Sequence, residues 1–358
     1  MASLEGSLRV LVLYDVADAI SLKDLAGMEE SSTLRRGTAF RHPAPDYVGF
    51  GLPPVMERLE PITISTGEVF QLSIKYFHYG VVSIELERHF QFEWPELVVY
   101  SSLWISAGEL ERLTLEIARG RIARIQAALV KPYKTWLSED YYVIQLRKAL
   151  GDDGQELAAD QMLATRGSEL ACIVRGEVEP LAAMEQSDAL VGSLSYYPRD
   201  LLVVGWGAAL VYDTTDGAVP TLQLLEYANS QLLEFRHYDE QLTQVLGNVY
   251  GMVERGDGLF GHWRTARRAR EINAIRLEFT ELAERSDNAL KFLSDMFYAR
   301  AWRLVSTRVG VGDYRNLVER KLRIAGELYE FMMSEFYQAR SFSLELMVVA
   351  ILVIELIH

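Results

Sequence analysis

Hydrophobic and polar positions divide the chain into two unlike parts. Up to about residue 217 the apolar side chains come in short runs rich in Val, Ile, Leu and aromatics, the pattern of strands. Leu8–Tyr14, Val69–His78, Tyr79–Leu86, Tyr141–Leu146, Ser193–Tyr197 and Leu201–Tyr212 are expected as strands, and Leu201-Leu-Val-Val204 suggests burial on both faces. Helical spacing governs Glu109–Leu129, through Leu110, Leu113, Ile117, Ile122, Ile125 and Leu129, with Pro132 as the stop. Trp94–Ile105 fits either period. Ser21–Gly27 reads as a short helix, and Ser31–Pro54 as irregular connections around a short strand at Tyr47–Phe50. Gly151–Gly154 marks a turn and a sub-boundary. The segment from there to about Ser187 is expected as two helical pieces broken at Gly176 and Pro180.

Beyond Asp213-Thr-Thr-Asp-Gly217, where Asp216 suits a helix cap, the strand pattern ceases. Val219–Glu254 reads as a first long helix and Glu271–Arg308 as a second. In the second, Ile272, Ile275, Phe279, Leu282, Ser286, Ala289, Leu293 and Met296 alternate spacings of three and four. Gly310 and Gly312 form a hairpin into a third, Asp313–His358, roughly 69 Å long at 1.5 Å per residue. The fold class expected is α+β: a mixed α/β region over residues 1–217, then long helices over 218–341. The last two helices are expected to form an antiparallel, coiled-coil-like pair.

The third helix changes character along its axis. Val318, Leu322, Ala325, Tyr329, Met332, Phe336 and Ala339 make one apolar stripe, whereas the end is apolar nearly all round. That end, residues 342–358, carries Leu344, Leu346, Met347, Val348, Val349, Ile351, Leu352, Val353, Ile354, Leu356 and Ile357, interrupted by Glu345 and Glu355. Leu344–Ile357 is roughly 21 Å of helix, against a bilayer hydrocarbon core of about 30 Å. It is a membrane-anchor candidate that inserts in part, belongs to a truncated span, or packs in an oligomer. Arg340 before it fits the cytoplasmic flank.

Composition narrows the classes. A chain of 358 residues with 49% hydrophobic and 24% charged residues has the balance of a folded protein. The net charge of −14 argues against coating nucleic acid through the whole surface. Cys172 stands alone, so neither an intrachain disulfide nor a multi-cysteine metal site is available. Leu8–Tyr14 is too short, and Arg9 too charged, for a signal-peptide core.

Candidate chemistry is sparse. The histidines at 42, 78, 89, 237, 262 and 358 show no metal-ligand spacing. Gly205-Trp-Gly207 echoes a dinucleotide loop without its third glycine and reads better as a bulge or tight turn. Asp213 and Asp216 suit a turn and cap better than Mg²⁺, and His237, Asp239 and Glu240 suit a solvated helix face. Arg264, Arg267, Arg268 and Arg270 reverse the sign of the chain locally. Anionic lipid, RNA or an acidic protein, and a solvated helix start paired with Glu254 and Glu271 all fit them. A metal transporter would need a Gly-Met-Asn loop between two spans, where only a misplaced Gly251-Met252-Val253 is found.

Phe77-His-Tyr-Gly-Val-Val82, the tail Leu344-Glu345 … Ile354-Glu355 and the stretch Leu224–Asp239 resemble the required-for-meiotic-nuclear-division family, also called Sif-type proteins. The resemblance implies a membrane-attached protein without established catalysis, whose eukaryotic members are associated with mitochondrial translation. It supplies no site residues and no cofactor. The expectation is therefore a scaffold or tether on the cytoplasmic side of a membrane, attached through its C-terminus. The alternative is a soluble homo-oligomer whose long helices and apolar tails pack together.

Overall fold

The computed structural model describes residues 3–28, 34–36, 53–105, 109–151, 153–255, 272, 274–281, 283–284 and 296–357. They fall into two compact units. The first comprises Met1–Glu234 with Arg285–Gly312, the second Phe235–Glu284 with Asp313–His358. The α+β class is what the chain adopts: a mixed sheet with helices, followed by long helices.

The first unit is organised on a nine-stranded sheet. Its strands are β1 (Leu4–Ile20), β2 (Leu34–Arg36), β3 (Val55–Thr63), β4 (Val69–Tyr76), β5 (Val81–Phe92), β6 (Leu129–Ala149), β7 (Ser193–Leu194), β8 (Leu201–Val204) and β9 (Ala208–Tyr212). They lie in the order β2-β3-β4-β5-β1-β6-β9-β8-β7. All neighbours are antiparallel except β6 and β9. β1 is central, paired with β5 on one side and β6 on the other, which explains its 17 residues. The strand runs past the polar Asp15 and Asp18 at the end of the apolar run: β5 pairs with it as far as Asp15, and β6 carries it on to Ile20. Gly6 sits at a bulge where a Cβ would lie 2.1 Å from the Gln145 carbonyl oxygen, so no larger residue fits.

One face of the sheet is apolar. Leu8, Val10, Val12 and Tyr14 of β1, Phe70, Leu72 and Ile74 of β4, and Val82, Ile84 and Leu86 of β5 point to it. They pack against α2 (Trp94–Ile105), α3 (Glu109–Arg124), α4 (Ala159–Arg175) and α5 (Ala183–Val191). Phe70 meets Trp104 edge to face at 5.3 Å. Tyr14 reaches α3, its hydroxyl 2.9 Å from Thr114 Oγ1 and 3.1 Å from the Glu111 carbonyl oxygen. Burial pushes its pKa up to about 12.

Several expectations are corrected. Trp94–Ile105 is helical. Helix α3 stops at Arg124, not Leu129, and Pro132 is no terminator. The chain passes through a 3-10 turn, Gln126–Ala128, because Leu129 onward is taken up as β6 by pairing with Ala19 and Ile20. Leu201–Tyr212 is a hairpin, turning at Gly205-Trp206-Gly207. The short strand expected at Tyr47–Phe50 lies outside the described residues.

The first long helix, α6 (Thr215–Arg255), starts earlier than its periodicity suggests and tolerates Pro220 inside. Its cap is Thr214, whose hydroxyl accepts the Gly217 N–H at 3.1 Å, rather than Asp216. Of the second long helix, residues 274–281 and α7 (Met296–Val309) are helical. Ile272, Ile275 and Phe279 are buried as the three-four spacing requires, but Met296 is 82% exposed. In α7 the buried positions are Ala301, Trp302, Val305 and Val309, because this helix turns Trp302 onto Tyr227 of α6. Gly310, at φ +91°, separates α7 from α8 (Val311–Ile357), and a Cβ there would meet the Trp206 ring at 2.9 Å.

In the second unit Phe235 and Tyr238 of α6 pack on Phe279. Lys321 of α8 binds Asp239 at 2.6 Å and donates to Thr243 Oγ1 at 2.6 Å. The third long helix is thus held by the first through polar contacts that an apolar seam does not announce. Among the described residues no helix is long and apolar enough to cross a membrane.

Candidate functional site

The opposite face of the sheet is where the charges gather. Strand residues alternate sides, so the partners of the apolar set are Ser7, Arg9, Leu11, Leu13 and Asp15 on β1, Lys75 on β4, and Ser83, Glu85 and Glu87 on β5. Register brings Arg9 opposite Glu87, Leu11 opposite Glu85 and Lys75 opposite Ser83. On a half-solvated sheet this would be the wet side. Here α6 covers it.

Residues 224 to 235 of α6 are buried without interruption, although Glu226, Asn229, Ser230, Gln231 and Glu234 are polar. Glu226, Ser230 and Glu234 recur every four residues and form one stripe. Glu226 accepts from Lys75 Nζ at 2.7 Å and from Ser83 Oγ at 2.6 Å. Lys75 also reaches Glu85 at 3.1 Å. Arg9 pairs with the same Glu85, holds Glu87 at 2.6 Å and donates to Gln145 Oε1 at 3.2 Å. Farther along, the Tyr79 hydroxyl lies 2.7 Å from Ser230 Oγ, which itself donates to the Tyr227 carbonyl. The result is a polar network across β6, β1, β5, β4 and α6, with the Tyr79–Ser230 contact on the same helix.

The electrostatics of this layer are locked rather than poised. Burial by itself would raise the Glu85 carboxyl, but Lys75 and Arg9 outweigh it and bring the pKa down to about 2. Burial would lower the Lys75 ammonium, yet Glu226 and Glu85 hold it above its ordinary value. Burial also raises Tyr79 well above the usual phenol. Groups held so firmly in one protonation state are poor general acids or bases near neutrality. They fasten a helix to a sheet, and removing one partner strands a charge.

The motif Phe77-His-Tyr-Gly-Val-Val82 forms the turn joining β4 to β5. Gly80 adopts φ +93°, and a Cβ there would lie 1.7 Å from the Ala17 carbonyl oxygen. The motif is thus explained by a left-handed turn pressed against β1, next to the Tyr79 anchor. Nearby, Tyr133 donates to Asp18 at 2.8 Å, and Lys131 pairs with Asp18.

The residues singled out from sequence fare unevenly. Gly205-Trp206-Gly207 is a hairpin turn, and Asp213 accepts the Thr214 N–H at 2.6 Å beside the α6 cap. Burial raises the Asp213 pKa. His237 contacts Gln241, while Asp239 is bound to Lys321, so the expected solvated helix face is partly engaged. Arg264, Arg267, Arg268 and Arg270 lie outside the described residues. The apolar tail, Leu344–Ile357, is helical as the end of α8, and Glu345, Val348, Val349 and Leu352 are exposed. Among the described residues no group of three or more His, Cys, Asp or Glu side chains is arranged to hold a metal ion.

The polar layer was not anticipated. Its signal was present as polar residues at alternate positions, Ser83, Glu85 and Glu87, and as Arg9 inside an apolar run. The same alternation describes a solvated face, and only the position of α6 separates the two.

Residues 5–218 match the family described as "Uncharacterized protein MJ0711, N-terminal domain", and the chain belongs to that family. The matched span contains the whole sheet and its helical layer. No curated protein and no solved structure matches the chain.

Proposed function

Since membership of an uncharacterised family brings no activity with it, we propose from the geometry that the protein is a scaffold or tether. Its α/β part is a rigid platform, and α8 carries an apolar end for attachment at the cytoplasmic side of a membrane. The observation that carries this is the exposure of Val348, Val349 and Leu352, at 55%, 58% and 58%, on a helix of 47 residues. Apolar side chains displayed together at the end of a long helix want a partner phase. Insertion of this apolar end into lipid would bury those side chains. The reading agrees with what the resemblance to Sif-type proteins implies.

A second reading has its own support. Val348, Val349 and Leu352 lie three and four residues apart on one side of the helix, the spacing of a helix–helix contact. Another copy of the same tail would cover it equally well, giving a homo-oligomer.

The test is Val348→Asp combined with Leu352→Asp in the full chain, followed by light scattering with and without detergent. A tether gives a wild type that needs detergent and a variant that does not. A homo-oligomer gives a detergent-free wild type whose mass falls in the variant. A wild type that is monomeric and monodisperse without detergent sinks both.

A further inference from the structure

On the first unit, away from the polar layer, aromatic side chains stand in the open. Tyr196 and Tyr197 are 57% and 66% exposed, and Met296, the first residue of α7, is 82% exposed. Apolar residues exposed singly need no explanation. These are gathered: the Tyr196 ring lies 4.8 Å from that of Tyr197 and 5.4 Å from that of Phe297, which follows Met296 in α7.

The tyrosines are fixed as well as displayed. Asp200 accepts the Tyr196 N–H at 2.7 Å and the Tyr197 N–H at 3.0 Å. Ser195 donates to the Tyr197 carbonyl at 2.9 Å, and the Ala159 N–H holds the Pro198 carbonyl at the start of α4 at 2.8 Å. A loop tied in this way presents two large side chains with little left to order on binding.

Cations stand beside the rings. Met296, Arg300 and Arg303 are exposed and follow one another at steps of four and three, so they share the outer stripe of α7. Arg300 is one turn along from Phe297. Helix α7 carries no acidic residue. Arg308, in its last turn, suits the helix dipole and is turned to Asp188. Arg300 and Arg303 lie before that turn and form no ion pair with the described residues.

We propose that this patch, Tyr196, Tyr197, Met296 and Phe297 beside Arg300 and Arg303, docks an acidic peptide segment that carries an aromatic side chain. Charge complementarity selects the acidic partner, because two uncompensated guanidiniums reverse the sign of a protein of net charge −14. Ring geometry selects the aromatic anchor. Tyr196 is inclined 87° to Tyr197 and 60° to Phe297, so the rings meet steeply, the arrangement in which a further ring packs edge to face. Single-stranded nucleic acid calls for ring faces in series and a basic track along the backbone, and two arginines make no such track. Tyrosine, methionine and arginine are also enriched where proteins bind one another. The inference gives the platform a partner and stands whether or not α8 enters lipid.

The test is fluorescence anisotropy of a labelled random copolymer of glutamate and tyrosine, titrated with the full chain. Polyglutamate and oligothymidylate serve as comparison probes. The wild type is expected to bind the copolymer, and to bind polyglutamate about tenfold more weakly. Arg300→Glu with Arg303→Glu, and separately Tyr197→Ala, are each expected to weaken copolymer binding by about tenfold or more. Their melting temperatures should match the wild type, because these side chains are exposed. A wild type that does not bind the copolymer overturns the proposal, as does equal binding by wild type and variants. Polyglutamate bound as tightly as the copolymer overturns it too, since charge alone then suffices. Oligothymidylate bound more tightly than the copolymer and lost in the same variants assigns the patch to nucleic acid. A dimer lost in them assigns it to a second copy, and either result sinks the proposal. The tail variant Val348→Asp, Leu352→Asp is expected to bind the copolymer as the wild type does. Loss of binding in that variant alone moves the site to α8 and overturns the assignment.

Discussion

The two faces of the central sheet are built from the same strands and differ only in which alternate residues they display. One shows Val10, Val12, Ile74, Ile84 and Leu86 to a layer of helices. The other shows Arg9, Lys75, Ser83 and Glu85 to a single helix, α6, which answers with Glu226 and Ser230. Both are dry enough to count as interior. The apolar face is held by contact, which is non-directional and tolerates small slips of a helix. The polar face is held by paired charges and hydrogen bonds, which are satisfied in one register and penalised in others. That contrast makes the first face the source of stability and the second a determinant of where α6 sits on the sheet.

The largest expected effects come from damaging each face in its own way. Phe70→Ala should cost about 3–5 kcal/mol through a cavity beside Trp104. Lys75→Met should cost a similar amount, about 3–5 kcal/mol, by leaving Glu226 and Glu85 without their shared ammonium. The faces then part company. Adding Glu226→Met to Lys75→Met should recover most of the loss, because an apolar pair of similar volume replaces a stranded charge. Urea unfolding measures all three, and a Lys75→Met protein within about 1 kcal/mol of wild type would remove the contrast.

A smaller effect is expected from pH. The folded Glu85 pKa, about 2, lies below its unfolded value of 4.5, so its contribution is complete above that value. It is lost as pH falls from about 4.5 towards 2, by on the order of 2–3 kcal/mol. Lys75 is shifted the other way, upwards, so its contribution persists through neutrality and fades only in strong base. Glu85→Gln should flatten the acid limb of the stability profile, whereas Phe70→Ala should lower the profile without changing its slope. An acid limb identical in wild type and Glu85→Gln would assign the acid sensitivity elsewhere.

The smallest effect belongs to the edge of the polar layer. Tyr79→Phe removes one hydrogen bond to Ser230, whose hydroxyl keeps the Tyr227 carbonyl. The expected loss is about 1 kcal/mol. A loss as large as that of Lys75→Met would show that Tyr79, rather than the ion pairs, locates α6.

Local pattern made much of the fold legible. Most strand cores, the breaks at Gly176 and Pro180 and the described parts of the long helices follow from period and punctuation, which are properties of neighbouring residues. Strand lengths did not follow, because β1 and β6 are extended by partners far away in the chain. Helix α3 ends short of Leu129 for the same reason, since Leu129 obeys helical spacing yet pairs with Ile20 of β1.

Sequence alone thus determined the α+β class and the apolar end of the last helix, because each depends on residues a turn or a pleat apart. The tertiary structure decided the meaning of the charges. Arg9, Lys75 and Glu85 alternate with apolar residues along their strands, and they are interior because α6 lies over them and brings Glu226 to Lys75. Burial is set by what packs above a residue, and two residues 151 positions apart carry no local mark that they will share a hydrogen bond.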